Sequence, residues 1–184
     1  MTIYKKKIII IGSSHPSSIE NMFYNSFRKL NIDVKLLDPN KHLTKLIHNK
    51  FFIKIFRNVY FYFYNRVISK YLNFNKKNKN NIIFFFKGES LNKSFLIKIK
   101  DKFKDYTIIN FNTDNPFHSN SILNKKIKGC IEYFDYYLTW SKEIRNKIIK
   151  NRFKKKNKVL YLPFAFDSKY MKKFNLNTLQ VKDK

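Results

Sequence analysis

The residues with the clearest capacity for chemistry follow a short apolar run near the middle of the chain. Residues 107–111 read Thr-Ile-Ile-Asn-Phe, and the polar segment that follows is Asn112-Thr113-Asp114-Asn115-Pro116-Phe117. Such a run is typical of a buried parallel strand, and a polar turn at its end delivers side chains to the sheet edge where open α/β sheets bind ligands. The alternative is an Asx turn, because Asn and Asp side chains bond readily to nearby backbone and Pro116 suits a turn.

Similar apolar runs end in polar or small residues elsewhere in the chain. They span residues 8–11, 34–37, 82–86, 136–140 and 159–162. Right-handed connections between parallel strands would gather the turns that follow them on one edge of the sheet. Beside residues 112–117, we expect that edge to present Gly12, Ser13, Ser14 and His15; Lys87, Gly88 and Glu89; Trp140 and Ser141; and residues 163–166.

Helical periodicity separates these runs. Ser17 or Ser18 can cap a helix after the first run, with Glu20 in its first turn favouring the positive end of the helix dipole. Strands and helices alternate along the chain, which predicts an α/β fold: a Rossmann-like parallel sheet with helices on both faces. We expect a single domain over residues 1–174 and a polar tail over residues 175–184. Further predicted elements are helices at residues 91–99, 121–130 and 169–174, a helix that Ser141 caps, and a linker at residues 73–81.

A long basic and aromatic segment, residues 45–72, predicts one amphipathic helix, or two with a break between them. Its apolar residues recur at every fourth position: Ile47, Phe51, Ile55, Val59, Phe63, Val67 and Tyr71. We expect this stripe to pack against the sheet. The alternative is an interfacial helix on an anionic membrane, which basic and aromatic residues together also suit.

Charge is the most unusual feature of the composition. The chain has 184 residues, with 39 Lys and Arg against 12 Asp and Glu, which gives a formal net charge of +27. That excess suggests nucleic acid, an anionic membrane surface or a phosphorylated ligand as partner. The abundance of Lys, Asn, Ile and Phe beside 3 Gly and 1 Trp is also what an AT-rich genome encodes. Because no helix-turn-helix, zinc-finger or RNA-recognition motif is present, we expect no specific nucleic-acid binding.

The sequence also limits the cofactors and the compartment. The single cysteine, Cys130, allows no internal disulfide and offers no metal cluster, so we expect no metal. The turn after the first run has one glycine, which fits neither a dinucleotide fingerprint nor a P-loop. Asp38, after the second run, is interpreted as a turn residue rather than a ribose ligand. A chain with one cysteine and no internal disulfide suits a reducing compartment, so we expect a cytoplasmic protein, with peripheral membrane association as the alternative. No run reaches the roughly 20 apolar residues of a membrane span.

Several segments, in this order, resemble the N-terminal half of a GT-B-fold glycosyltransferase, most closely the spore-maturation CgeB type. They are residues 7–14, Phe86-Lys87-Gly88-Glu89, Asn112-Thr113-Asp114-Asn115-Pro116-Phe117, Tyr136-Tyr137-Leu138-Thr139-Trp140-Ser141, and Tyr161-Leu162-Pro163-Phe164-Ala165 with Asp167. Members of that family similarly have an Asp-Asp-Pro or Asp-Asn-Pro after the fourth strand and a Tyr-Asp or Phe-Asp before the next, here Phe134-Asp135. They close the domain with a Leu-Pro-x-Ala-x-Asp segment. The resemblance rests on order and spacing, and it extends to about residue 174.

The resemblance implies transfer of a sugar from a nucleotide-diphosphate sugar, which is the donor substrate, to an acceptor hydroxyl, with no separate cofactor. In that family the first domain mainly faces the acceptor and the second binds the donor. Asp114 would orient or deprotonate the acceptor hydroxyl, and it is the candidate catalytic residue. His15 and His118 are the alternative bases, because histidine titrates nearer neutrality. The residues that would line the acceptor site are Gly12, Ser13, Ser14, His15, Lys87, Gly88, Glu89, Asn112, Thr113, Asn115, Pro116, Phe117, Trp140 and Ser141.

The donor-binding domain of that family has no counterpart in this sequence, since two such domains need roughly 300 residues or more. Three alternatives follow: a truncated reading frame, half of a split enzyme whose donor-binding partner is a separate protein, or an acceptor-binding module. The expected function is therefore the acceptor-binding half of a glycosyltransferase, with a sugar or glycan as its ligand. The alternative is a non-enzymatic Rossmann-like module that docks on an anionic membrane or a protein partner.

Overall fold

A computed structural model describes residues 7–43, 57–74, 81–88, 90–118, 127–151 and 158–164. Six strands form one parallel sheet in the order β2-β1-β3-β4-β5-β6. The strands are β1 (Lys7–Ile11), β2 (Asp33–Leu37), β3 (Ile82–Phe86), β4 (Thr107–Asn112), β5 (Tyr136–Thr139) and β6 (Val159–Tyr161). The predicted α/β fold, a Rossmann-like parallel sheet, is confirmed.

The helices of the described ranges cover both faces of the sheet. They are α1 (Ile19–Lys29), α2 (Pro39–Leu43), α3 (Arg57–Phe74), α4 (Lys93–Lys102) and α5 (Lys142–Lys150), and residues 127–130 are also helical. Phe23 and Phe27 of α1 pack on one face of the sheet. Ile68 of α3, Leu96 of α4 and Ile148 of α5 are buried on the other face. None of these helices is long and apolar enough to cross a membrane.

The continuous apolar runs of the central strands follow from this two-sided burial. Every residue of β1 is buried, and successive residues enter different cores. Ile9 and Phe85 belong to the core under α3 and α4, whereas Ile10 and Phe84 belong to the core under α1. A strand that buries both faces needs apolar side chains at every position, so its sequence does not alternate.

The packing of α3 differs in part from the predicted apolar stripe. Val59 and Phe63 are 46% and 39% exposed, while Val67 and Tyr71 are partly buried against the core. The α3 residues that are buried in that core are Tyr64, Ile68 and Leu72. A step of four residues turns an α-helix about 40° past a full turn, so an every-fourth stripe winds around the helix and leaves the buried side. Packing of α3 on the core is confirmed, but the buried face was predicted wrongly at Val59 and Phe63.

A short helix, α2, occupies a position that the sequence analysis interpreted as a turn. Asp38 Oδ1 accepts a hydrogen bond from the Lys41 N–H at 3.1 Å, and Pro39 occupies the first helical position. A side-chain acceptor before the helix and a proline at its start are favourable, because the first N–H groups have no partner within the helix. Tyr60 of α3 donates a hydrogen bond to Asn40 Oδ1 of α2, which joins the two helices.

Some predicted elements lie outside the described residues. They are residues 45–56 of the long helix, residues 75–80 of the linker, residues 121–126 of the predicted helix 121–130, the helix at residues 169–174 and the tail at residues 175–184. Glu89, Ala165 and Asp167 also lie outside the described residues.

Candidate functional site

A cavity of about 510 Å³ opens at the carboxyl ends of β1 and β3. β1 is followed along the chain by β2 on one side of it, and β3 is followed by β4 on the other side, so the connections that leave the carboxyl ends of β1 and β3 diverge at this point. A crevice forms outside the strand ends where the connections diverge, and open α/β sheets bind their ligands there. The topology therefore makes this cavity the candidate functional site.

The turn after β1 is fixed by Asp38, at the end of β2. Asp38 Oδ2 accepts hydrogen bonds from the Ser14 N–H at 2.7 Å and from Ser14 Oγ at 3.0 Å. The chain then enters α1, where the Ser18 hydroxyl oxygen accepts the Asn21 N–H at 3.2 Å. Asp38 thus holds the loop that carries Ser13 into the cavity wall.

The turn after β3 has an unusual backbone conformation. Lys87 and Gly88 have φ angles of 58° and 81°, in the left-handed region that residues with a side chain seldom adopt. Asn110 of β4 holds this turn, because its Nδ2 donates to the carbonyl oxygens of Phe85 and Lys87, each at 3.4 Å. A Cβ atom on Gly88 would lie 2.9 Å from that nitrogen, so a glycine fits here without strain. The two left-handed residues turn the chain sharply where both of them line the cavity.

The turn after β4 is held by Asn112, which is 1% exposed. Asn112 Oδ1 accepts the Asp114 N–H at 3.0 Å, and its Nδ2 donates to the hydroxyl of Tyr137 at 2.9 Å. Asn115 Oδ1 accepts the Phe117 N–H at 2.9 Å. These are the contacts of the Asx turn that the sequence offered as the alternative, and they also fix the position of Asp114 at the sheet edge.

Tyr137→Phe is expected to lower the free energy of unfolding by about 1–3 kcal/mol at pH 8, because it leaves the buried Asn112 amide without an acceptor. Burial raises the pKa of the Tyr137 hydroxyl, and the hydrogen bond from Asn112 only partly offsets this rise. An unfolded tyrosine loses its proton near pH 10, so the unfolded chain binds fewer protons above that pH and the contribution of Tyr137 falls by about 1.4 kcal/mol per pH unit. Urea unfolding at pH 8 and pH 11 measures both effects. The difference between the two proteins should shrink at pH 11, and a constant difference would contradict the burial of this hydroxyl.

An ion pair joins the β4 turn to the cavity. Lys87 Nζ lies 3.7 Å from Asp114 Oδ2, and the two side chains are 50% and 42% exposed. A pair this exposed contributes little to stability. Lys87 lines the cavity whereas Asp114 stands beside it, so the pair places a carboxylate at the edge of the site.

The cavity gathers five of the predicted site residues: Gly12, Ser13, Lys87, Gly88 and Thr113. Ser14 and Asn112 do not line it, because their side chains hold the turns after β1 and β4. His15 is exposed, with its Nδ1 2.7 Å from Ser17 Oγ. Predicted residue Glu89 lies outside the described residues.

The remaining predicted residues lie nearer the ends of β4, β5 and β6. Trp140 stacks on Phe164 with ring centroids 5.5 Å apart, and Ser141 caps α5 by accepting the Ile144 N–H at 3.3 Å. Phe117 has the Nζ atoms of two lysines over its ring, at 5.0 and 5.3 Å from the ring centroid. Asn115, the buried Pro116 and the exposed His118 belong to the turn after β4. The predicted residues therefore occupy two parts of one sheet edge rather than a single pocket wall.

Glu20 is the cavity residue that the sequence analysis placed in a different role. Its side chain is 8% exposed, lines the cavity and packs over Gly12. A Cβ atom on Gly12 would overlap Glu20 Cγ and would lie 3.1 Å from Oε1. In the sequence, the small residues of the turn after β1 were the one indication that a side chain packs closely against Gly12. The other lining residues that were not predicted are Ser17, Ser18, Ile19, Asn40, Tyr64, Phe86 and Ser90.

Comparisons with known proteins do not identify the chain. It matches no protein-family model, and no curated protein sequence matches it at a significant level. Within the described ranges, no group of three or more His, Cys, Asp or Glu side chains is placed to hold a metal ion. The chemistry of the cavity residues is therefore the basis for a functional proposal.

Proposed function

We propose that this protein is the acceptor-binding half of a glycosyltransferase. Its cavity would hold a sugar or glycan whose hydroxyl receives a sugar from a nucleotide-diphosphate donor. The observation that carries the proposal is the position of a cavity rich in hydroxyl groups at the point where the sheet connections diverge. Ligand pockets in such sheets use a few placed polar groups to fix the ligand. Here the polar residues that line the cavity are Ser13, Ser17, Ser18, Ser90, Thr113, Asn40 and Glu20.

The cavity is less suited to the diphosphate of the donor. Diphosphates bind where several N–H groups or basic side chains converge. Among the described lining residues Lys87 is the one basic side chain, and it already pairs with Asp114. Donor binding is therefore proposed for a second domain or a partner protein.

The resemblance to the CgeB type supports roles for two residues at the cavity edge. Asp114 would accept a hydrogen bond from the acceptor hydroxyl and orient it for transfer. Lys87 links that carboxylate to the cavity through the ion pair of 3.7 Å. Both residues lie on turns that neighbouring strands hold in place, through Asn112 for Asp114 and Asn110 for Lys87. Such support is what a binding group needs to keep its geometry.

Thermal unfolding with a panel of ligands tests the proposal. A ligand at a hundred times its Kd stabilises the folded protein by about 2.7 kcal/mol, which raises Tm by roughly 5–10 °C for a protein of this size. We expect this rise with a subset of mono- and oligosaccharides and none with nucleotide-diphosphate sugars. Asp114→Ala should remove the rise. Asp101→Ala, which alters an exposed aspartate of α4, should leave it intact.

Two results would count against this function. Stabilisation by a nucleotide-diphosphate sugar alone would make the cavity a donor site. No response to any saccharide in the panel, with Asp114→Ala and Asp101→Ala behaving alike, would remove the acceptor role.

The exposed side of α3 favours a second candidate, docking on an anionic membrane surface. Val59, Tyr62 and Phe63 are 46%, 60% and 39% exposed. They lie on the side of α3 opposite the core residues, together with the exposed Arg66 and Lys70. Aromatic and basic residues on one helix face suit an interface that carries negative charge.

Co-sedimentation with lipid vesicles tests this second candidate. We expect binding to phosphatidylcholine vesicles that contain phosphatidylserine, and weaker binding as salt is raised. Replacing Tyr62 and Phe63 together with serine should lower the affinity about tenfold while leaving the folded structure intact. Equal binding of the double variant and the wild-type protein would contradict membrane docking by α3.

A further inference from the structure

Glu20 presents its carboxylate to the cavity. The residue is 8% exposed, and its side chain lines the cavity beside Gly12. Within the described part of the chain, no hydrogen bond or ion pair engages its carboxylate oxygens. Both oxygens therefore keep their capacity to accept hydrogen bonds from a ligand in the cavity.

A second glutamate, Glu143, has the same position relative to a helix start as Glu20. Comparing the two separates the effect of the helix from the effect of the cavity. Ser18 and Ser141 each cap a helix by accepting the N–H of the residue three positions later. Glu20 and Glu143 each follow their serine by two positions and stand in the first helical turn. Glu143 is exposed, as expected for a residue that only complements the helix dipole. Glu20 has the same relation to its helix and also lines a cavity.

The N-terminal end of α1 would attract an anion if no acidic side chain stood there, because its first N–H groups and the helix dipole favour negative charge. Glu20 already supplies a negative charge at this place. A phosphate in the cavity would meet the Glu20 carboxylate at short range, where like charges repel. A hydroxyl or a protonated amine would instead donate a hydrogen bond to that carboxylate, and charge-assisted bonds of this kind are the stronger ones.

We infer that the cavity selects ligands that donate hydrogen bonds, namely uncharged sugars and amino sugars, and excludes phosphorylated ones, with Glu20 as the residue that binds the ligand. This inference rests on the proposed acceptor role and names the class of acceptor. In this arrangement the two carboxylates have different roles. Glu20 binds the sugar inside the cavity, and Asp114 meets the reacting hydroxyl at the edge.

The experiment compares matched ligands by calorimetry and by ligand-observed NMR on the full chain. Each neutral monosaccharide is measured beside its 2-amino and 6-phospho derivatives and inorganic phosphate. We expect the wild-type protein to bind one neutral sugar and its amino derivative, with the amino derivative tighter and the phospho derivative weaker. Glu20→Gln should lower the affinity for the amino sugar at least about tenfold and should raise the affinity for the phospho derivative.

Two further variants, Glu143→Gln and Gly12→Ala, test the role of Glu20. Glu143→Gln should lower Tm by about 1–3 °C through loss of the dipole interaction and leave sugar binding unchanged. Glu20→Gln removes the same dipole interaction and should lower Tm by a similar amount. Gly12→Ala retains the carboxylate but displaces the side chain that packs over Gly12, so it should weaken sugar binding as Glu20→Gln does.

The outcomes separate this inference from the proposed function. Tighter wild-type binding of phosphorylated sugars or phosphate would overturn the inference and leave an acceptor-binding half with a different acceptor. Unchanged sugar affinity in Glu20→Gln would also overturn it. Binding of neutral and amino sugars that depends on Glu20 but not on Asp114 would leave the inference standing and count against the glycosyltransferase role.

Discussion

Phe85→Ala is expected to lower the free energy of unfolding by about 3–5 kcal/mol, because it removes a buried aromatic ring and leaves a cavity in the core. Phe85 lies on β3, between β1 and β4, and is 1% exposed. Its ring packs against Phe134 with centroids 6.2 Å apart at an interplanar angle of 61°. Folded domains are stable by only about 5–15 kcal/mol, so this loss is a large fraction of the total. Chemical denaturation at constant pH measures it.

Phe63→Ala is the matched control for the core substitution. It makes the same chemical change on α3, where the side chain is 39% exposed. We expect a loss within about 1 kcal/mol, because partly exposed side chains give up less apolar contact on truncation. Equal losses for Phe85→Ala and Phe63→Ala would contradict the position of β3 at the centre of the sheet. Phe63→Ala also reports on the membrane proposal, since it alters the exposed side of α3 without disturbing the core.

Asp135→Ala is expected to lower the free energy of unfolding by about 2–3 kcal/mol, because it removes a charged acceptor from a backbone donor. Asp135 precedes β5 and pairs with Ile108 of β4 through two contacts. Its Oδ2 accepts the Ile108 N–H at 2.9 Å, and its own N–H donates to the Ile108 carbonyl at 2.8 Å. The side chain thereby extends the β4–β5 ladder beyond the start of β5. Thermal and urea unfolding measure the loss.

Two milder variants separate the hydrogen bond from the ion pair at this position. Asp135 Oδ1 also lies 2.8 Å from Lys100 Nζ, with both side chains about a quarter exposed, at 22% and 26%. Solvent screening limits such a pair, so Lys100→Met should cost no more than about 1 kcal/mol. Asp135→Asn retains an acceptor for the Ile108 N–H and should cost less than Asp135→Ala. A loss in Lys100→Met as large as that in Asp135→Ala would show that the ion pair dominates.

The strand positions could be predicted from the sequence because each strand is a local feature. β1 and β3 are continuous apolar runs with a polar or small-residue turn after them, and both were predicted within one residue of their ends. The same signals gave the alternation of strands and helices, and hence the parallel sheet. The apolar face of α3 was less predictable. A fixed spacing of four residues cannot follow one side of a helix, and only the packing partners decide which side is buried.

The candidate site could be predicted only in part for a related reason. Gly12, Ser13, Lys87, Gly88 and Thr113 follow strands of a parallel sheet, so the topology rule alone places them near one edge. Tyr64 and Asn40 reach the same cavity from α3 and α2, and no local pattern connects those helices to the strand ends. The strand order puts the cavity between β1 and β3, whereas the richest polar motif lies at the end of β4.

The two capped glutamates show most directly what the sequence determines and what it leaves to the fold. Both Ser18-Ile19-Glu20 and Ser141-Lys142-Glu143 predict a helix start with an acidic first turn, and both are helix starts. The sequence determines this because capping involves only neighbouring residues. The tertiary structure decides that Glu20 is buried over Gly12 at a cavity while Glu143 faces solvent. Burial depends on which distant elements pack around a side chain, and the local sequence carries no record of them.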